Sequence, residues 1–284
     1  MQSPLSLLRK HGIRPLKRLG QNFLCDPNIL EKIVRIAEVR DTDTVVEIGS
    51  GIGFLTSLIA RRARRVIALE VDRRLVEVLQ EELGGMPNVE IVHGDVLAFD
   101  FASACPDRGD GKGKITVIGN VPYNLSSPIV VRLLESRASI DRAVLMLQRE
   151  VAERLAAPPG TRDYGPLSVT VALYTQAHLE MRVPASCFVP RPDVESRVIR
   201  LDMRVRPLCQ VDDPALFRDV VRGGFARRRK TLLNSLKHSS LPVDAESIPA
   251  ILEELGIDGT RRAETLTVRE FASLSNRIAR GQNP

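Results

Sequence analysis

With 284 residues, 43% of them hydrophobic and 27% charged, the chain is long enough for about two domains and has a globular make-up. No apolar run approaches the ~20 residues of a membrane span, residues 1–8 are too short and too interrupted by Pro4 for a secretory signal, and the four cysteines and four histidines show no metal-ligand spacing, so a cytoplasmic protein with no membrane segment, metal or disulfide framework is expected. The net charge of +6 is uneven: Arg9, Lys10, Arg14, Lys17 and Arg18 crowd residues 1–22 without an acid, a second surplus lies beyond residue 204, and such ends suit a polyanionic partner or, equally, a solubilising tail.

Residues 1–25 read as a basic arm. Asp26-Pro27 then offers an N-cap and a proline at the first helical position, with Ile29, Leu30, Ile33, Val34 and Ala37 on one face. Residues 44–48 and 65–69 read as short strands around a helical stretch at 53–63; 72–83 predicts an amphipathic helix and 89–92 a strand. Residues 101–114, with Pro106, Gly109, Gly111 and Gly113, read as polar surface padding. The apolar run 115–119 predicts a buried strand, 126–137 a helix, 142–147 a strand, and 150–157 a helix stopped by Pro158-Pro159-Gly160. This alternation predicts a parallel sheet with helices on both faces. Two extended runs within 177–203 are expected to pair antiparallel at the sheet edge, and Arg206-Pro207 marks a boundary. Beyond it, 214–237, 245–255 and 268–280 predict a small all-helical domain. The expected organisation is an arm over 1–25, an α/β domain over 26–205 and a helical domain over 206–284.

Four strand ends carry chemistry. After the first strand, Glu47-Ile48-Gly49-Ser50-Gly51-Ile52-Gly53 spaces its glycines as G-x-G-x-G, which lets the backbone turn sharply and a ligand approach closely; alone it suits a plain strand-to-helix turn equally well. Glu70 ends the second strand, where a carboxylate can accept from both hydroxyls of a ribose. Asp95 follows the third, where it can accept from an adenine amine. Together they match the crevice in which open α/β sheets bind ligands. The fourth strand runs into Asn120-Val121-Pro122-Tyr123. There the Asn side-chain oxygen and the carbonyl of Val121 can both accept from one NH2 group, Pro122 holds the turn, and Tyr123 offers a face for a flat ring. Such a site prepares an aromatic amine to attack an electrophile.

Leu19-Gly20-Gln21-Asn22-Phe23-Leu24, 47–53, Gly94-Asp95, 120–123, Tyr164-Gly165-Pro166-Leu167-Ser168, 188–196 and 228–236 together resemble, over nearly the full length, the bacterial small-subunit ribosomal RNA adenine-N6 dimethyltransferases. The resemblance implies an α/β, Rossmann-like S-adenosylmethionine-dependent methyltransferase sheet with a small C-terminal helical domain. It implies that Asn22, Leu24, Gly49, Gly51, Glu70, Asp95 and Asn120 line the cofactor site, and that Asn120 and Tyr123 hold the target adenine while Phe188 stacks from the other side. Ser50 stands where the family usually has Pro, and Val121 where it usually has Leu.

The implied reaction is attack by adenine N6 on the donor methyl, twice, on adjacent adenines in a loop near the 3′ end of 16S ribosomal RNA in the immature 30S subunit, by a monomer. Arg14, Lys17 and Arg18 of the arm, Arg61-Arg62-Ala63-Arg64-Arg65, and Arg227, Arg228, Arg229 and Lys230 are candidate phosphate contacts. Residues 61–65 end a helix, where cations also suit the dipole; 227–230 are expected inside a long helix. Two rivals stand beside this reading: a large-subunit adenine methyltransferase of the erythromycin-resistance type, and a noncatalytic nucleic-acid-binding factor with the same fold. The signature at 228–236 points away from the first; the intact Asn120 to Tyr123 motif argues against the second.

Overall fold

Apolar runs without polar alternation call for strands covered on both faces. Thr44–Ile48 is buried along its whole length, and Arg65–Glu70 and Ile115–Asn120 each leave only one residue less than fully buried. In the computed structural model, which describes residues 4–108, 111–227 and 229–281, the elements run α1 (Pro4–Lys10), β1 (Phe23–Leu24), α2 (Pro27–Ile36), β2 (Thr44–Ile48), α3 (Phe54–Ala60), β3 (Arg65–Glu70), α4 (Arg73–Leu83) and β4 (Val89–His93). There follow the short pair β5 (Asp107–Arg108) and β6 (Gly111–Lys112), then β7 (Ile115–Asn120), α5 (Ser126–Glu135), β8 (Ile140–Gln148), α6 (Arg149–Leu155), α7 (Pro166–Tyr174), β9 (Thr175–Val183), β10 (Phe188–Val189) and β11 (Ser196–Met203). Four helices complete the chain: α8 (Pro214–Phe225), α9 (Leu232–Lys237), α10 (Ile248–Glu254) and α11 (Val268–Arg280).

The main sheet has the order β4-β3-β2-β7-β8-β11-β9. From β4 to β8 neighbouring strands are parallel, and β11 is antiparallel to β8. The two extended runs expected at the sheet edge, β9 and β11, are neighbours there, with β9 outermost. Chain order reverses between β2 and β7, so the loops leaving those strands diverge and open a crevice at their carboxyl ends. Asp26 caps α2 as its sequence predicts, accepting from the amides of Asn28 and Ile29. Among the described residues no helix is long and apolar enough to cross a membrane.

Residues 1–152 with 178–203 form one compact unit, and 153–177 with 204–284 another. The sequence reading kept 153–177 within the sheet domain. Instead α7 packs against α8 and α11, where the Tyr164 ring meets Phe225 edge-on at 6.0 Å and Phe225 stacks on Phe271 at 5.8 Å. The arm is likewise part of its unit: Leu7 and Leu8 are buried in a cluster with Phe23, Ile52, Leu75 and Val78. Lys10 and His11 fasten the same segment to Glu82 at 2.6 and 2.9 Å.

Two further expectations are corrected. The segment 101–114 is more than padding, since Phe101 and Ala104 are buried and Phe101 packs edge-on to Phe99 at 5.2 Å. The single helix expected over 214–237 breaks into α8 and α9. A Cβ on Gly223 would stand 2.9 Å from Ser239, so α8 passes close to the chain beyond α9. Thr231 then caps the new helix by accepting from the Asn234 amide. Arg227, Arg229 and Lys230 consequently lie in the turn between helices, and Arg228 lies outside the described residues.

Gly53 starts α3 in the left-handed region (φ +83°), and a Cβ there would stand 2.7 Å from Leu83 Cδ1 and 3.0 Å from Leu79 Cδ2. Backbone strain and overpacking then act together. Gly53→Ala is expected to lower the unfolding free energy by about 2–3 kcal/mol in urea titration; an unchanged midpoint would show that the turn does not need glycine.

Candidate active site

The crevice at the carboxyl ends of β2, β3 and β7 is a cleft of about 550 Å³ lined by residues 19–23, Gly49, Gly51, Glu70, Val71, Leu75 and Asn120 to Tyr123. Gly49 lines it with φ +69°, a left-handed conformation that glycine adopts without strain. An adjoining cleft shares Phe23, Gly49, Gly51 and Asn120 and extends to Leu24, Glu47, Ser50 and Met146. Beside it Val71 is 49% exposed, an apolar face next to the Glu70 carboxylate.

Glu70 is buried, and three backbone amides converge on it. Its Oε2 accepts from Gly51, and its Oε1 accepts from Val71 and Asp72, each at 2.9 Å. Burial pushes its pKa up, and the amides of Asp72, Gly51 and Val71 oppose that rise. The carboxylate thus holds the glycine loop against the end of β3 and keeps acceptor capacity towards the cleft.

Asn120 ends β7, and its amide NH2 donates to the backbone carbonyl of Asn22 at 2.8 Å. With the donor end tied down, the side chain offers its Oδ1 as acceptor, an orientation assigned from this bond. Among the described residues no protein donor is bonded to that Oδ1 or to the Val121 carbonyl. Pro122 lies at φ −54°, ψ 132°, and the backbone N–H of Val121 donates to the Met146 carbonyl at 3.1 Å, which fixes the turn to β8. Tyr123 is half-buried, and its hydroxyl lies 2.7 Å from Ser196 Oγ.

The structure thus brings Asn22, Leu24, Gly49, Gly51, Glu70, Asn120, Val121, Pro122 and Tyr123 to these two adjoining clefts. Two expected residues stand elsewhere. Asp95 is exposed outside the lining, where its Oδ1 accepts from the Leu97 amide. Phe188 is 2% exposed, opposite Leu24 in the β1–β10 pair and within an apolar cluster that includes Leu30 and Ile33. Of the basic candidates, Arg14, Arg18, Arg227, Arg229 and Lys230 are exposed.

Glu47 is the group that sequence reasoning passed over, although a carboxyl inside the apolar run 44–48 is its own signal. Fully enclosed at the end of β2, it accepts a 2.5 Å hydrogen bond from Thr56 Oγ1, and burial pushes its pKa up to about 8 against the lowering effect of that bond. The unfolded chain loses this proton near 4.5, the folded chain near 8. Stability from this group is therefore fully present below the lower value and is lost as pH rises to the upper one, by up to ~1.4 kcal/mol per pH unit. Glu47→Gln is expected to flatten the fall in unfolding free energy between pH 5 and 8; an unchanged slope would contradict the buried, protonated carboxyl.

Residues 14–280 match the family described as ribosomal RNA adenine dimethylase. The chain belongs to this family. It is 48% identical over 275 residues to the ribosomal RNA small subunit methyltransferase A of Geobacillus sp. (strain WCH70), covering 96% of this chain and 94% of that one. To the protein of the same name from Syntrophus aciditrophicus (strain SB) it is 45% identical, over 96% of this chain and 97% of the relative. Among solved structures, a dimethyladenosine transferase from Plasmodium falciparum superposes with a TM-score of 0.77 at 26% identity, covering 90% and 98% of the two chains. The 23S rRNA methyltransferase ErmE gives 0.67 at 30% identity, covering 90% and 99%.

This ribosomal RNA adenine dimethylase is a methyltransferase, and S-adenosylmethionine is its cofactor. The residues present fit that molecule. Gly49 and Gly51 bring backbone without a Cβ to the cleft wall, the Glu70 carboxylate stands at a strand end beside the apolar Val71, and the free Asn120 Oδ1 borders the same cleft.

Proposed function

We propose that this dimethylase methylates N6 of two adjacent adenines in a loop near the 3′ end of 16S ribosomal RNA, acting as a monomer on the immature 30S subunit and so coupled to its maturation. The observation that carries the reading is the pair of unclaimed acceptors, Asn120 Oδ1 and the Val121 carbonyl, beside the Tyr123 ring on the cleft wall. Support for the small-subunit substrate comes from relatives that match at 45–48% identity over at least 94% of their length, against 30% for the large-subunit enzyme ErmE.

In this reading Glu70 takes the ribose hydroxyls, and Gly49, Gly51, Asn22 and Leu24 enclose the rest of the cofactor. When bound, S-adenosylmethionine supplies an electrophilic methyl group. Asn120 and Val121 draw the amine hydrogens to one side, which leaves the nitrogen lone pair free on the other. No general base is required, since the methylated ammonium is acidic enough to lose its proton to water. Because the monomethylated amine keeps one N–H, stacking on Tyr123, worth ~1–3 kcal/mol, holds the base for the second round. Phe188, buried as it is, anchors β1 against β10 and would reach the base only by turning a face out of its cluster. Asp95 would meet the adenine of the cofactor only if its turn moved inward. Arg14, Lys17, Arg18, Arg227, Arg228, Arg229 and Lys230 are the proposed phosphate contacts.

Incubation with methyl-labelled cofactor and undermethylated small-subunit particles, followed by nucleoside analysis, tests the reading. N6,N6-dimethyladenosine in small-subunit RNA is the expected product. In a parallel incubation with undermethylated large-subunit particles no label is expected; label there and none in small-subunit RNA, or none in either despite bound cofactor, would favour one of the two rivals.

A further inference from the structure

β8 lies between β7 and β11 in the sheet, so Tyr123, just beyond β7, spans the carboxyl end of β8 to meet Ser196 at the start of β11. Ser196 is completely buried and pairs with Gln148, the last residue of β8. Its neighbour Glu195 is held twice by Arg149: the carbonyl accepts from the Arg149 amide at 3.0 Å and the carboxylate from the Arg149 guanidinium at 2.9 Å. The serine hydroxyl is therefore a fixed point. Among the described residues its one side-chain partner is the Tyr123 phenol, at 2.7 Å. A buried hydroxyl without a partner is costly, and an apolar side chain at this inward position of β11 would avoid that cost. The serine is explained by the ring it holds.

Resting on the proposed role of Tyr123 as the stacking surface, we infer that Ser196 is a positioning residue for methyl transfer: its hydroxyl fixes the axis and plane of the Tyr123 ring, and thereby the depth and tilt of the target base. A phenol hydrogen bond lies close to the ring plane, so one contact at the para position restrains both side-chain torsions. The opposite end of the ring is set by Pro122 and by the Val121 bond to Met146. A base stacked on a ring so held presents its amine to Asn120 and Val121 in one orientation. A ring free to swing would still stack the base but would spread that orientation, which lowers turnover more than binding.

The test uses the full-length protein with Ser196→Ala, Tyr123→Phe and the double variant, assayed on small-subunit particles. Each single change is expected to lower kcat about 10-fold with cofactor Kd unchanged and RNA KM within about twofold, as loss of one positioning hydrogen bond implies. Because both remove the same bond, the double variant should be no worse than either single. The chain has three tyrosines, so 3-fluorotyrosine labelling gives a fluorine spectrum in which the Tyr123 signal is identified by its loss in Tyr123→Phe. That signal should shift in Ser196→Ala while those of Tyr164 and Tyr174 stay in place. Wild-type kcat in Ser196→Ala, additive single effects, or movement of all three signals would overturn the inference. If Ser196→Ala does not fold, Tyr123→Phe decides, and wild-type kcat there is equally fatal. Tyr123→Ala separates the two levels: full turnover in that variant removes the stacking role itself, whereas impaired Tyr123→Ala beside normal Ser196→Ala removes only the positioning role.

Discussion

Replacing Asn120 by Ala is expected to lower turnover by about 100- to 1,000-fold while cofactor affinity stays within a few-fold, the size of effect that follows loss of one preorganised polar contact to a reacting group. Among the described residues the side chain hydrogen-bonds at one point, the Asn22 carbonyl, and its Oδ1 stands unclaimed at the cleft. Truncation therefore removes an acceptor for the amine without emptying the glycine loop or disturbing Glu70. Asn120→Asp is the sharper variant. It keeps an acceptor but places a carboxylate against the Asn22 carbonyl, so the side chain turns away and turnover should fall almost as far. Single-turnover rates with saturating cofactor, alongside calorimetric cofactor binding, separate the two effects. An Asn120→Asp enzyme at near wild-type rate would show that the Asn22 tether is dispensable.

Glu70→Ala is expected to act in the opposite order, abolishing cofactor binding first. The substitution strips one carboxylate from three amide contacts, those of Gly51 and Asp72, which are buried, and that of Val71, which is part-buried. Each unsatisfied group costs about 1–3 kcal/mol, partly recovered by water entering the cleft. With the ribose acceptor lost as well, Kd for S-adenosylmethionine should rise by about 100-fold or more, and the melting temperature should fall. Glu70→Gln tests the loop alone. One amide oxygen can still serve Val71 and Asp72, but its NH2 then faces the Gly51 N–H, donor against donor. Intermediate affinity is the expected result, and wild-type affinity in either variant would remove Glu70 from the cofactor site.

What could be read from the sequence followed from how local each signal is. The apolar runs of β2, β3 and β7 need no distant partner to declare themselves, and Asp26-Pro27 fixes the start of α2 within two residues. The same holds for the motifs at the ends of β2, β3 and β7, because sheet order sets those ends side by side, whereas Asp95 beyond β4 stays outside the lining. Features that depend on pairing across the chain stayed hidden. Nothing near Asn120 announces that Asn22, 98 positions earlier, will orient it. Nor does Phe188 signal that pairing of its strand with Phe23–Leu24 will bury it. Periodicity misled where it continued through a break: Leu216, Phe217, Val220 and Val221 keep helical spacing with Leu232 and Leu236, and the close approach at Gly223 is visible only in three dimensions. In α7 the residues are nearly all apolar, so no stripe showed which neighbours it would cover.

The most direct measurement is a crystal structure of the protein with a non-transferable analogue of S-adenosylmethionine and an RNA hairpin bearing the target adenine. Its N6 should lie within ~3 Å of Asn120 Oδ1 and of the Val121 carbonyl, with the ring against Tyr123 and the analogue's transfer position on the far side of the amine. An adenine whose N6 is bonded to other groups, while Asn120 keeps its Oδ1 unpartnered, would contradict the proposed chemistry.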